Sequence, residues 1–191
     1  VGFSTLISES EDKEEIKEFA KIIHANNELL LNLINDILDM SKIEAGILDF
    51  LYTEVEINEL IQTLWRSYRF KIKEGVEFRT ELPAESYIIH TERNRLSQVL
   101  ANFTFEGMIT IGYEIRKDDI YFFVTDTGKG IAEENISRVF DRFAKLDSFT
   151  QGTGLGLSIC ELIIKHLGGE IGVESSVGKG STFWCTVPTR K

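Results

Sequence analysis

Between residues 12 and 46, the apolar positions Ile16, Phe19, Ile23, Leu30, Ile34, Ile37 and Leu38 recur at steps of three and four. Glu14, Glu15, Glu18, Asn32, Asn35 and Asp39 fall between them. That period predicts one long amphipathic helix. Ser10 or Asp12 would cap its start and Gly46 its end. Residues 1–7 read as the remnant of a preceding helix, joined through the polar ESEDKEE stretch. Such a hairpin carries an apolar stripe with no third or fourth helix in the chain to cover it. A second copy across a two-fold axis would complete a four-helix bundle; the alternative is that the long helix packs on its own α/β domain.

Beyond a connection at 48–54 the period changes. Residues 55–68 read as a strand start followed by a helix containing Trp65, VEFRTEL and YIIH as short strands around Pro83, and 94–103 as a helix. MITIGYEIRKDDIYFFVTD is a hairpin turning at Lys117-Asp118-Asp119. Residues 131–142 and 155–167 supply more helix, and IGVESS and STFWCTVP close the sheet as a second hairpin. The expected fold is α+β, a helical hairpin at 1–47 followed by a two-layer α/β sandwich at 55–191 with helices on one face of the sheet. There are no repeats or low-complexity segments.

Composition narrows the function classes. The chain has 191 residues, 42% of them hydrophobic, enough for one ordinary domain and a small appendage. Its net charge of −10 argues against nonspecific nucleic-acid or anionic-membrane binding. No apolar run approaches transmembrane length, so this segment is expected to make no direct membrane contact. No signal peptide is visible, and the start resembles mid-helix sequence. Cys160 and Cys185 stand in apolar company and read as buried thiols, which suits a reducing, cytoplasmic setting. There is no Cys/His spacing for zinc.

Three stretches carry the candidate chemistry: DTGKGI (126–131), FDRF (140–143) and GTGLGL (152–157). The first follows the strand-like YFFVT, so Asp126 would emerge at a strand's end with its carboxylate held by the fold. A fixed carboxylate accepts a hydrogen bond from an adenine amino group, and Gly128 and Gly130 let backbone pass close to a flat base. Gly152, Gly154 and Gly156 leave amides to face phosphate oxygens at the start of a helix, with Thr153, Leu155 and Leu157 in the same loop. Each piece alone has a plain reading, an ordinary turn or a flexible loop. A Rossmann unit would place the glycines before the acidic residue, and the P-loop pattern is absent.

The order and wording of these stretches resemble the catalytic, ATP-binding domain of sensor histidine kinases, within the ATPase group that also holds DNA gyrase, mismatch-repair and heat-shock chaperone ATPases. LLNLINDILDMSKIEAG (30–46) resembles the second helix of the kinase dimerisation and phosphotransfer domain. TERNRLSQVLANF (91–103) resembles the approach to the asparagine box, and GGEIGVESSVGKGSTFWCTVP (168–188) the closing hairpin. The resemblance implies ATP and Mg²⁺ as cofactors, a homodimer through the helical hairpin, and a response-regulator receiver domain as partner. It implies a cytoplasmic location, including the cytoplasmic part of a membrane-anchored sensor. Residue by residue, it gives the adenine amino group to Asp126 and its wall to Gly128 and Gly130. Phe140 and Phe143 border the lid, Arg142 and Lys145 reach phosphate, and Asn102 faces the metal. Core packing is the plain alternative for the two phenylalanines and solvated charge for Arg142 and Lys145.

Two departures from the family pattern stand out. The phospho-accepting histidine should lie roughly three helical turns before the segment resembling residues 1–8, so the chain starts after it. His24, His90 and His166 lack the flanking residues and read as surface or packing histidines. In the asparagine box, Asn102-Phe103 runs directly into Thr104-Phe105-Glu106-Gly107, roughly two helical turns short. The second asparagine, which the resemblance assigns to Mg²⁺, has no counterpart. A helix feeding the ATP site does not lose two turns cheaply, so the expectation is that the numbering passes over residues between Phe103 and Thr104. The function expected is transfer of the ATP γ-phosphoryl group to a histidine outside this chain and on to a receiver aspartate. The alternatives are a noncatalytic nucleotide-sensing or dimerising module, or an ATP hydrolase of the gyrase or chaperone branch. A hydrolase needs a glutamate to activate water, and the nearest, Glu92, stands where it would cap the helix.

Overall fold

The computed structural model describes residues 2–10, 12–47, 50–68, 77–103, 108–144 and 153–189. A short helix α1 (Phe3–Glu9) precedes the long α2 (Lys13–Glu44). The Asp12 carboxylate accepts from the Glu14 amide at 2.8 Å, Glu14 and Glu15 sit in the first turn and Lys42 in the last. Those charges complement the helix dipole. Gly46, at φ +64°, follows the last turn in a conformation that suits a residue without Cβ. Phe3 packs on Phe19 at 5.8 Å between ring centres, holding α1 to α2.

Helix α2 divides its apolar residues between two faces. Leu33, Met40 and Ile43 pack against the α/β core. Leu30, Leu31, Ile34, Ile37 and Leu38 remain 45% to 60% exposed. The helix therefore meets its own domain along one stripe and leaves the other exposed.

Strand β1 (Thr53–Glu56) runs into α3 (Ile57–Tyr68), which Glu56 caps by accepting from the Asn58 and Glu59 amides at 3.1 and 2.7 Å. Then come β2 (Phe78–Glu81), β3 (Ile88–Thr91) and α4 (Arg93–Asn102), β4 (Ile109–Ile115), β5 (Asp119–Asp126) and a four-residue α5 (Glu133–Ile136). Helix α6 (Gly156–Leu167), β6 (Ile171–Ser176) and β7 (Gly180–Pro188) follow. Strands β1 and β3 form a two-stranded antiparallel sheet of their own. The main sheet has the order β2-β4-β5-β7-β6, with β2 parallel to β4 and every other pair antiparallel.

Alternation along β5 sets the two layers. Ile120, Phe122, Val124 and Asp126 face the helices with Ile109, Ile111, Phe183, Cys185 and Val187, and close on Leu96, Val99 and Leu100 of α4 and Ile159, Cys160, Ile163 and Ile164 of α6. Tyr121, Phe123 and Trp184 occupy the opposite face, half-buried. Cys160 and Cys185 are buried thiols, and burial pushes Cys160 up to about 12 and Cys185 higher still.

Residues 131–142 differ from the single helix the sequence predicts. After α5 the amides bond three residues back, Arg138 to Asn135, Val139 to Ile136 and Asp141 to Arg138. These tight turns bury Val139 and bring Phe140 against the core, which a continuing α-helix would carry away from it. Among the described residues no helix is long and apolar enough to cross a membrane.

Candidate functional site

The strand-end part of the site is fixed by the sheet. Asp126 is the last residue of β5, 4% exposed, on the helix-covered face and opposite Ile109 and Ser181 in the register. Its Oδ1 accepts from the Gly128 amide at 2.7 Å, which closes the turn around the carboxylate. The loop that follows is stitched to the β6–β7 turn: the Ile131 amide donates to Ser175 Oγ at 2.8 Å and the Gly178 amide to the Lys129 carbonyl at 2.7 Å. Gly130, at φ +70°, lies so close to the Ser176 carbonyl that a Cβ would sit 2.0 Å from its oxygen. The glycine here is required by the fold, whatever it also does for a ligand.

The glycine-loop part is held from another direction. Helix α6 begins at Gly156, and the Leu155 amide just before it donates to Thr153 Oγ1 at 3.2 Å. Gly154, at φ +72°, crosses the backbone of Phe143, where a Cβ would stand 2.9 Å from the Phe143 Cα. Leu155 is buried, and Leu157 packs on the core from the first turn. Asn102, the last residue of α4, turns its amide nitrogen to the Gly156 carbonyl and to Cys160 Sγ, both at 3.4 Å. Its neighbour Phe103 stacks on Phe183 at 5.6 Å, and Phe183 pairs with Val124, two residues before Asp126. The end of α4, the start of α6 and the end of β5 thus share one end of the helix-covered face.

Polar ties join α2 to this end and to the start of α4. Thr153 Oγ1 donates to Asp36 Oδ2 at 2.7 Å, Arg95 pairs with Asp39 at 2.7 Å, and Arg142 pairs with Glu44. Burial holds the Asp36 carboxyl above its ordinary value, the Thr153 hydrogen bond pulls it back, and the Asp39 charge adds to the rise. Glu92 caps α4 by accepting from the Arg95 amide, so its place is that of a helix cap.

The residues singled out by sequence are brought together unevenly. Asp126, Gly128 and Gly130 form one unit, and Thr153, Gly154, Leu155, Gly156 and Leu157 another. Phe140 is half-buried against the core, whereas the ring of Phe143, whose φ is +60°, is 62% exposed. Arg142 faces Glu44 in this arrangement. Lys145, Gly152 and the 103–104 junction involve residues outside the described ones. His24 lies exposed on α2, 3.4 Å from Glu28, while His166 stacks on Phe50 at 3.8 Å and His90 on Tyr52 at 5.9 Å. Among the described residues no cluster of three or more His, Cys, Asp or Glu side chains could hold a metal ion. Sequence reasoning passed over Asp36, Asp39 and Glu44. Their only signal was a polar position on the stripe carrying Leu33, Met40 and Ile43.

Residues 91–191 match the family described as histidine kinase-, DNA gyrase B- and HSP90-like ATPase, and residues 1–46 match the His Kinase A (phospho-acceptor) domain. Hybrid signal transduction histidine kinase B of Dictyostelium discoideum is 37% identical over 90% of this chain. The autoinducer 2 sensor kinase/phosphatase LuxQ of Vibrio vulnificus is 32% identical over all of it. The chain spans 10% and 24% of those two proteins, and 32% of the sensor histidine kinase WalK of Bacillus subtilis, to which it is 27% identical. Full-length ShkA, crystallised with AMPPNP, superposes with a TM-score of 0.80 at 25% identity, over 97% of this chain and 42% of that one. ThkA in complex with the response regulator TrrA gives 0.76 at 26% identity, over 98% and 58%. The chain therefore belongs to the histidine kinase branch of this ATPase family, with a phospho-acceptor-type helical segment ahead of its ATP-binding domain.

Proposed function

We propose that the chain is the ATP-binding catalytic part of a sensor histidine kinase, with residues 1–47 as dimerisation and phosphotransfer helices, 48–54 as linker and 55–191 as catalytic domain. The observation that carries the reading is the buried carboxylate of Asp126, clamped by the Gly128 amide on the face it shares with the start of α6. A carboxylate so placed accepts the adenine amino group, and Gly128 and Gly130 form the wall beside the base. At the other end, the amides around Thr153, Gly154, Leu155, Gly156 and Leu157 face the phosphates, favoured by the dipole of α6. Phe140 anchors the segment that carries Phe143 over the site. Arg142 reaches phosphate on leaving Glu44, and Lys145 and Gly152 complete the loop.

The residues fit the nucleotide better than they fit a metal. Mg²⁺ takes oxygen ligands, and Asn102 offers it one carbonyl oxygen on an amide whose nitrogen is spent on α6. In this reading the metal is held chiefly by the triphosphate, where it would neutralise charge during phosphoryl transfer. This chain's part is to orient the base and the phosphates and to exclude water, which is most of what such transfers ask of a protein. The acceptor histidine lies upstream of residue 1, and a receiver aspartate takes the group afterwards, on the cytoplasmic side. A second copy covers Leu30, Ile34, Ile37 and Leu38 to complete the homodimer.

The test uses γ-labelled ATP. The chain is expected to bind ATP in calorimetry yet take up no acid-labile label. An acid-labile phosphate on His24, His90 or His166 would overturn the assignment of the acceptor to an upstream residue. Absence of ATP binding would overturn the whole reading.

A further inference from the structure

The far end of the sheet holds a concave surface, at the opposite end of β5 from Asp126. It is an open depression of about 610 Å³ between the β4–β5 turn, the α6–β6 turn and the ends of β7. Its floor is aromatic. Tyr121 and Trp184 stack at 5.7 Å between ring centres, and Phe123 extends the row at 6.2 Å from Tyr121. Two glycines lay these rings flat on the sheet. A Cβ at Gly172 would fall 2.4 Å from the Trp184 ring, and one at Gly112 2.5 Å from that of Phe123. Flat rings present their negative faces outward instead of their edges.

The rim is acidic. Among the described residues, Asp118, Asp119, Glu170 and Glu174 line the depression against one cation, Arg116. Arg116 spreads its guanidinium over Tyr121, 3.8 Å from the ring centre. The surface thus already holds one guanidinium in the geometry that aromatic faces favour. Asp119 Oδ1, beside this rim, is buried with no hydrogen-bond partner. A carboxylate oxygen left in that state costs stability. Burial, and then the Glu174 charge, push the Tyr121 phenol above its usual value, and the Arg116 charge pulls it back.

We propose that this depression docks an arginine-bearing segment of a partner protein. An arginine matches every part of the surface. Its plane stacks on Trp184 beside Arg116–Tyr121, and its forked donors meet two carboxylates at once, which a lysine ammonium cannot do with equal economy. The shallow, open form suits a peptide segment lying across the sheet better than an enclosed small molecule. The chain's net charge of −10 steers a basic partner toward it.

The experiment follows the Trp184 indole N–H by NMR at about 0.15 M salt, where loose attraction between distant charges is screened. Trp65→Phe assigns the two indole signals. A blocked Gly-Arg-Gly-Arg-Gly peptide is titrated alongside its lysine and citrulline counterparts. The expected result is a saturable shift with the arginine peptide, affinity about fivefold weaker for lysine, and none for citrulline. The double variant Asp118→Asn, Glu174→Gln should weaken arginine binding about tenfold, the loss of one to two charge-assisted contacts. Arg190 and Lys191 follow in the sequence, so the titration is repeated with Arg190→Ser and Lys191→Ser, where affinity must hold or rise. No shift with the arginine peptide, an equal shift with citrulline, or indifference to the double variant would each overturn the proposal. ATP binding by the same samples is read separately, so failure here leaves the nucleotide assignment standing.

Discussion

Asp126 is fixed by its own sheet, through the β5 register and the Gly128 amide, whereas Thr153 is tied to Asp36, 117 residues earlier in the chain and on a different helix. The base end of the candidate site is therefore part of the domain's core. The phosphate end is shared with α2, which also takes Arg142 through Glu44 and Arg95 through Asp39. The difference teaches where motion would be felt. A shift of α2 against the sheet disturbs the glycine loop first and leaves the Asp126 turn in place, so under the proposed nucleotide assignment affinity for adenine and placement of the phosphates would be separable properties.

The sharpest way to break the comparison is to damage each end by the same small addition. Gly130→Ala puts a Cβ 2.0 Å from the Ser176 carbonyl oxygen at a positive φ. It should destabilise the domain by roughly 2–4 kcal/mol, read as a lower midpoint in thermal or urea unfolding. Gly154→Ala meets Phe143 at 2.9 Å, also at positive φ, but with a milder clash. A loss of about 1–2 kcal/mol is expected, appearing more in ATP affinity than in the melting curve. Equal unfolding penalties for the two would show that both ends belong to one rigid unit.

Asp36→Asn sharpens the same point through pH. Burial raises the Asp36 carboxyl in the folded state, so the folded chain holds that proton more tightly than the unfolded one. Its contribution to stability is fully present below the unfolded value and is lost as pH rises through the folded value. Asparagine keeps an acceptor for Thr153 and has no charge to bury. The variant should flatten the pH dependence of melting just above the ordinary carboxylate range. An unchanged slope would mean that α2 does not hold the loop in solution. Smallest of all is Arg142→Ala. Its pair with Glu44 is about half exposed, so removal should cost under about 1 kcal/mol in unfolding.

Most of the fold was legible because local signals agreed with the packing that followed. The three-and-four stripe pointed to α2 with Asp12 as a candidate cap, and the β-branched and aromatic run YFFVT pointed to β5 with Asp126 at its end. Residues 131–142 failed because helix-forming side chains there are overridden by tight turns that bury Val139. The separate β1–β3 pair was hidden because β3 is four residues long and pairs with a strand 35 positions earlier. At the site, glycines and a strand-end carboxylate can be read from sequence because backbone geometry demands them. The partners of Thr153, Arg95 and Arg142 cannot, since Asp36, Asp39 and Glu44 look like any solvated positions on a helix until the domain folds against them.

The central claim is that Asp126 reads adenine, and calorimetric titration of the chain and of Asp126→Asn with ATP and with GTP tests it most directly. Asparagine preserves the acceptor for the Gly128 amide, so the turn should survive. It puts an amide in place of the carboxylate, and affinity for ATP should fall at least about tenfold. GTP, which has a carbonyl where adenine has an amino group, should bind the unmodified chain weakly and gain nothing comparable to what ATP loses. ATP binding by a folded Asp126→Asn chain with unaltered affinity would contradict the account.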